Sequence, residues 1–155
     1  MKEVGIGLIG TGFMGKCHAL AYGAVKAVFG DVPAPRLEFL FDPDPDVARR
    51  RAGEFGFARW TTDWRALVAD PAVEVVSITA PNRLHRKMTE AAAQAGKVVY
   101  CEKPLALTLA DGIAIIAPMK GEDGDEVTFS ARFACPLLRA APWARSAWSA
   151  AIRRG

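Results

Sequence analysis

Short apolar runs alternate with longer stretches of helical spacing along the first two thirds of the chain. Val4 to Ile9 is apolar and ends in a glycine cluster, which predicts a buried strand followed by a tight turn. Phe13 to Val28 is rich in Ala, Leu and Val at helical spacing. Arg36 to Phe41 is a second strand candidate, introduced by Pro33 and Pro35. Asp44-Pro45 then opens an Arg/Ala/Glu stretch to Phe55 that suits a capped helix. Asp63 to Ala69 predicts a short helix with Asp63 as its N-cap. Val73 to Ala80 is mostly apolar and β-branched, the pattern of a strand buried in a parallel sheet. Pro81-Asn82 turns the chain into a helix running to about Ala95, with Gly96 as its C-terminal cap. Lys97 to Cys101 predicts another strand, and Glu102-Lys103-Pro104 follows at its carboxyl end.

Strands alternating with helices in this way predict βαβ units with right-handed crossovers. The fold class expected is α/β with a doubly wound parallel sheet. Beyond residue 105 the pattern weakens. Thr108 opens a helical stretch that Pro118 and the Gly121–Gly124 segment cut short, and Val127–Phe129 reads as one more strand. Residues 136–155 read as a helical tail interrupted at Pro142. The expected division is therefore a core domain over 1–135 and an atypical tail over 136–155. No internal repeat or low-complexity linker is visible.

Composition agrees with a globular chain. Of the 155 residues, 51% are apolar and 24% charged, enough for one domain that folds without disulfides or metal. No apolar run approaches the roughly 18 residues of a membrane span. The apolar run after Lys2 lacks a small-residue cleavage site, so no leader is expected. Residues 1–130 hold 15 lysines and arginines against 17 acids, whereas residues 131–155 hold five arginines and no acid. The net charge of +3 therefore belongs to the tail, and the core gives no reason to expect nucleic acid. Three scattered cysteines, 17, 101 and 135, with no CxxC pair, suggest a reducing cytoplasm and no metal site.

The chemistry centres on Gly10-Thr11-Gly12-Phe13-Met14-Gly15, a G-x-G-x-x-G between a predicted strand and a predicted helix. In that setting Gly10 permits a tight turn, Gly12 lets the backbone approach a pyrophosphate, and Gly15 lets the helix pack close. The helix N-terminus offers unpaired N–H groups and a positive dipole end to phosphate, as in a Rossmann-like domain. Asp42, at the end of the second strand, is the acid expected at the ribose 2′-hydroxyl; its other reading is a turn or cap residue. A carboxylate there favours NAD and repels the 2′-phosphate of NADP, although Arg49, Arg50 and Arg51 are near enough in sequence to reach round. Asp42 lies 27 residues past Gly15, and the Phe29–Pro33 loop is expected to absorb the excess over the usual spacing. The same glycines also nearly match a triphosphate P-loop through Gly15-Lys16-Cys17, but Cys17 offers magnesium a soft sulfur where an oxygen is wanted.

Two further stretches narrow the choice: Val75-Val76-Ser77-Ile78-Thr79-Ala80-Pro81-Asn82-Arg83-Leu84-His85, and Ala95-Gly96-Lys97-Val98-Val99-Tyr100-Cys101-Glu102-Lys103-Pro104-Leu105. With the glycine turn they resemble the cofactor domain of the Gfo/Idh/MocA family of oxidoreductases, from about Val4 to Thr108. The resemblance implies NAD as cofactor and a sugar, polyol or inositol-type small molecule as substrate. It implies Gly12, Phe13 and Met14 at the pyrophosphate and Asp42 at the adenosine ribose. Pro81, Asn82 and His85 would border the cofactor beyond the Val73–Ala80 strand. Glu102 and Lys103 would lie near the nicotinamide, with Lys103 as the catalytic residue contacting the substrate oxygen. It also makes Lys103–Pro104 a candidate cis bond.

An ammonium at a strand's carboxyl end can stabilise negative charge on a substrate oxygen during hydride transfer and, if desolvated, assist proton movement. His18 reads as structural, and Cys17-His18 lacks the further ligands of a metal pair.

The sequence departs from the family after Glu-Lys-Pro. The family's long helix is broken here, and Phe129-Ser130-Ala131-Arg132-Phe133 only loosely echoes its next strand. The family's second α/β domain, which carries acid/base Asp and His residues, has no counterpart in these residues. Both histidines, His18 and His85, fall in the cofactor half. The expectation is a cofactor domain inactive by itself, or a non-catalytic dinucleotide-binding module. Residues 136–155 leave apolar surface that favours a homo-oligomer, or a basic aromatic segment that touches an anionic partner.

Overall fold

The computed structural model describes residues 3–30 and 32–116. Five strands, β1 (Glu3–Ile9), β2 (Ala34–Phe41), β3 (Arg59–Thr61), β4 (Val75–Ile78) and β5 (Val98–Cys101), form one parallel sheet in the order β3-β2-β1-β4-β5. The helices are α1 (Phe13–Val28), α2 (Pro45–Phe55), α3 (Trp64–Ala69), α4 (His85–Gln94) and α5 (Leu109–Ile116). The expected strand over 127–129 and the helical tail over 136–155 lie outside the described residues.

Alternation along the strands splits the core into two layers. Leu8 and Leu40 face one way and join Ala19 of α1 with Ala48 and Ala52 of α2. Ile9, Phe39 and Phe41 face the other way, against Leu67 and Val68 of α3 and Met88 and Ala92 of α4. Helices thus cover both faces, which is the doubly wound arrangement expected from the strand and helix order. The chain runs outward from β1 to β2 and β3, then returns to β4 on the other side of β1. That reversal opens a crevice at the carboxyl ends of β1 and β4, where open α/β sheets bind ligands.

Local signals fix the helix ends. Asp44 accepts from the N–H groups of Asp46 and Val47, and Asp63 accepts from that of Arg65. Thr108 and Asp111 bond reciprocally, side chain to side chain and side chain to backbone, at the start of α5. Gly56 and Gly96 take left-handed conformations after α2 and α4.

Four elements differ from expectation, the first being β4, which spans only Val75–Ile78 of the strand expected over Val73–Ala80. β3 is not foreseen at all. β2 begins at Ala34 and includes Pro35, which is tolerated because β3 pairs only with Phe39 to Phe41 and leaves that edge open. The helix expected from Pro81 starts as a 3₁₀ turn, Asn82–Leu84, and becomes α-helical only at His85. No helix among the described residues is long and apolar enough to cross a membrane.

Candidate functional site

Strand register brings the site's residues to one edge. Ile9 pairs with Phe41 of β2 and Ile78 of β4, and Ile78 pairs with Cys101 of β5. The residues that follow, Asp42, Gly10, Thr79 and Glu102, therefore form a row along the carboxyl edge. Backbone bonds hold it: Gly10 N–H to Phe41 O at 3.1 Å, Thr79 N–H to Ile9 O at 2.8 Å, and Glu102 N–H to Ile78 O at 2.9 Å. Asp42 and Glu102 stand three strand spacings apart, roughly 14 Å.

The glycine turn sits in the middle of the row. Gly10 has φ of +102°, a conformation that only glycine takes readily. A Cβ on Gly15 would lie 2.2 Å from the Gly10 carbonyl oxygen, so α1 approaches the turn as closely as its backbone allows. A Cβ on Gly12 would meet nothing within 4 Å. The space over Gly12 is thus an open cradle, whereas Gly10 and Gly15 are enclosed. Gly12 is the N-cap of α1; it supplies no side-chain cap, and the first turn holds no acid. With no acid in the first turn, nothing there neutralises the leading N–H groups of α1, among them those of Phe13 and Met14. The residues therefore fit a pyrophosphate. Phe13 is exposed and Met14 half-buried. The 16-residue α1 and the Phe29–Pro33 connection take up the long interval between Gly15 and Asp42.

Asp42 is half-buried at the end of β2. Its Oδ2 accepts from the Thr11 hydroxyl and its Oδ1 accepts from the Asp44 N–H at 3.1 Å, so it also serves the turn into α2. Arg49, Arg50 and Arg51 pair with Asp46 and Glu54 on their own helix. Lys16 is exposed within α1, which already begins at Phe13. No free loop remains there to wrap a triphosphate, and the P-loop alternative falls.

Beyond β4, Pro81 and Asn82 are exposed at the crevice, but His85 is not. Its ring is fully buried, with Nδ1 2.9 Å from Pro104 O and Nε2 2.8 Å from Ala80 O. The side chain expected to border a cofactor instead ties the end of β4 to the Glu102–Pro104 segment. The Lys103–Pro104 bond is cis. Lys103 is exposed. The Cys101 thiol, at the end of β5, is pushed up to about 11 by burial.

Sequence reasoning missed two polar residues here. Thr79 Oγ1 lies 2.9 Å from Gly10 O and 3.1 Å from Ile9 O, and donates into the turn from β4. His18, read only as structural, is 6% exposed, with Nδ1 2.7 Å from Ser77 Oγ and Nε2 2.8 Å from Glu102 Oε1. Tyr22, one turn on, lies edge-on to the His18 ring, and burial raises its phenol above the ordinary value. The signal was present: Gly15, His18 and Ala19 form the buried stripe of α1, and a buried imidazole needs partners.

Comparison with known proteins agrees with this geometry. The profile described as "Oxidoreductase family, NAD-binding Rossmann fold" (GFO_IDH_MocA) matches residues 4–124. The chain is 43% identical over 124 residues to levoglucosan dehydrogenase of Pseudarthrobacter phenanthrenivorans, covering 79% of this chain and 32% of that one. It is 36% identical over 115 residues to inositol 2-dehydrogenase 1 of Saccharopolyspora erythraea, covering 74% and 32%. Among solved structures, an NAD binding oxidoreductase from Klebsiella pneumoniae superposes with a TM-score of 0.73 at 45% identity, covering 75% of this chain and 31% of that one. Levoglucosan dehydrogenase in complex with NADH and L-sorbose gives 0.75 at 42%, covering 76% and 32%. The chain spans about a third of the length of the curated relatives it matches. It belongs to the Gfo/Idh/MocA family of oxidoreductases, and the segment matched is the family's NAD-binding Rossmann domain.

Proposed function

We propose that this chain binds NAD across its carboxyl edge and serves hydride transfer to or from a sugar, polyol or inositol-type substrate. The observation that carries the reading is the register row from Asp42 through Gly10 to Glu102. In it, the open cradle at Gly12 lies between an acid on β2 and the Glu102-Lys103-Pro104 segment after β5. The Gly12, Phe13 and Met14 backbone, with Gly10 and Gly15 shaping the turn, holds the pyrophosphate. Asp42 accepts from the adenosine ribose hydroxyls and disfavours a 2′-phosphate. Pro81 and Asn82 border the dinucleotide beyond β4, and Glu102 lies at its nicotinamide end. When bound, the nicotinamide supplies the hydride donor or acceptor. Lys103 donates a hydrogen bond to the substrate oxygen, orients it, and stabilises the negative charge that develops there. His85 acts from behind, by fixing the Pro104 carbonyl.

Relatives named as sugar and inositol dehydrogenases support the substrate class. By themselves these residues bind the cofactor without turnover, and the domain is assigned to residues 1–135 with 136–155 as a tail. The finer setting we infer is a homo-oligomer in the cytoplasm. Leu107, Leu109 and Ile113 are each more than half exposed, and exposed apolar side chains favour association.

Titrating the chain with NADH and NADPH tests the reading. NADH is expected to bind at least about tenfold more tightly, a like-charge penalty at Asp42 of the size typical for one mispaired group. A clear preference for NADPH would overturn the role given to Asp42. Adding a polyol and sugar panel is expected to give no reduction of NAD. Turnover that is lost in Lys103→Ala would instead make the chain an enzyme on its own.

A further inference from the structure

We infer that His18 is a positioning residue that sets the nicotinamide end of the site from the first helix, an assignment resting on the reading of Glu102–Lys103 as that end. His18 is itself only 6% exposed. It acts through Glu102, whose side chain is 11% exposed and whose two oxygens are both engaged: Oε1 by His18 Nε2 at 2.8 Å, and Oε2 by the Lys103 N–H at 3.2 Å.

The direction of the hydrogen bonds follows from donor inventory. An ionised carboxylate only accepts, so His18 Nε2 carries the proton and donates. Nδ1 is then free to accept from the Ser77 hydroxyl at 2.7 Å. Ser77, His18 and Glu102 thus form one chain of donors pointing toward the carboxylate, each polarising the next.

Its place in the fold makes this chain consequential. The β4–β5 ladder ends with Glu102 N–H on Ile78 O. Past that bond, the Lys103 backbone is held by the Glu102 carboxylate, and the carboxylate is held by His18. The glycine turn has separate supports, Gly10 N–H on Phe41 O and Thr79 Oγ1 on Gly10 O. Loss of the His18–Glu102 bond should therefore loosen the nicotinamide end and leave the pyrophosphate and adenosine end intact.

Calorimetric titration of the 155-residue chain with NAD and with ADP-ribose, which lacks the nicotinamide, separates the two ends. His18→Gln keeps an amide N–H where Nε2 stands; His18→Asn keeps one only where Nδ1 stands. The Asn variant is expected to bind NAD about tenfold more weakly with ADP-ribose within about twofold of the parent, the loss of one charge-assisted bond. The Gln variant should stay near the parent for both. Equal weakening of both ligands by the Asn variant, or Asn and Gln alike, would overturn the inference.

Glu102→Ala is the control on the underlying reading. If it weakens NAD alone and His18→Asn does not, the role of His18 fails by itself. If Glu102→Ala leaves both ligands unchanged, the placement of the nicotinamide fails, and the inference with it. Nitrogen NMR of the parent protein's imidazole needs no variant: Nε2 protonated and Nδ1 bare is expected, and the opposite tautomer would overturn the assignment.

Discussion

Three glycines of one motif do three different jobs, and substitution should tell them apart. Gly10 is demanded by its backbone angle, and Gly15 by a contact that would be 2.2 Å from its Cβ to the Gly10 carbonyl oxygen. Gly12 is demanded by neither. Gly15→Ala is expected to lower stability by about 1–3 kcal/mol, because the backbone of the turn cannot yield as a flexible side chain would. Urea unfolding measures this, and an unchanged midpoint would contradict the close seating of α1. The histidines show where residue-level reading stops. Both were visible in the sequence, but whether a histidine faces a cofactor, a carbonyl or a carboxylate depends on partners 5 to 84 positions away. His85 was expected at the cofactor and is buried between the Pro104 and Ala80 carbonyls; His18 was set aside and lies against Glu102.

At the scale of elements, the strongly patterned segments were legible and the short edge was not. The span of α1 could be read directly, and Asp44 and Asp63 announced their helices through ordinary capping chemistry. β3 has only three residues, Arg-Trp-Thr, with no apolar alternation to reveal it. Its place is decided by tertiary contacts. Arg59 bonds Glu38 Oε1 at 2.8 Å and Asp70 Oδ2 at 2.7 Å, and its guanidinium lies over the Phe39 ring at 4.4 Å.

The Arg59 bond holds the Asp70 carboxyl below its ordinary value. A carboxyl lowered on folding stabilises the native state above its ordinary range, and that contribution disappears as the pH falls through the folded value. Asp70→Asn is therefore expected to cost about 0.5–1 kcal/mol near neutral pH, the range of a partly exposed pair. The gap from the parent should close in acid. Unfolding midpoints across pH check this; a gap that stays constant into acid would show that the pair contributes nothing electrostatic.

At the scale of the whole molecule, alternating strands and helices sufficed to place a parallel sheet, and the sheet's register then aligned residues far apart in sequence. Asp42 and the Glu102-Lys103-Pro104 segment, 60 residues apart in the chain, fall on one edge because Phe41, Ile9, Ile78 and Cys101 share a row. That consequence of strand order was legible, since the motifs ended predicted strands. The hydrogen-bonded support beneath the edge was not, because it joins α1 to β4 and β5 through side chains.

The central claim is that this edge binds NAD at the cradle over Gly12. The most direct test is NADH fluorescence titration of the parent chain and of Gly12→Val, with thermal unfolding of both. Because a Cβ at Gly12 meets no atom within 4 Å, the variant should unfold close to the parent, short of about 1 kcal/mol for a poorer N-cap. Saturable binding by the parent, lost in this folded variant, is the predicted result. Equal binding by both, or no binding by the parent, would contradict it.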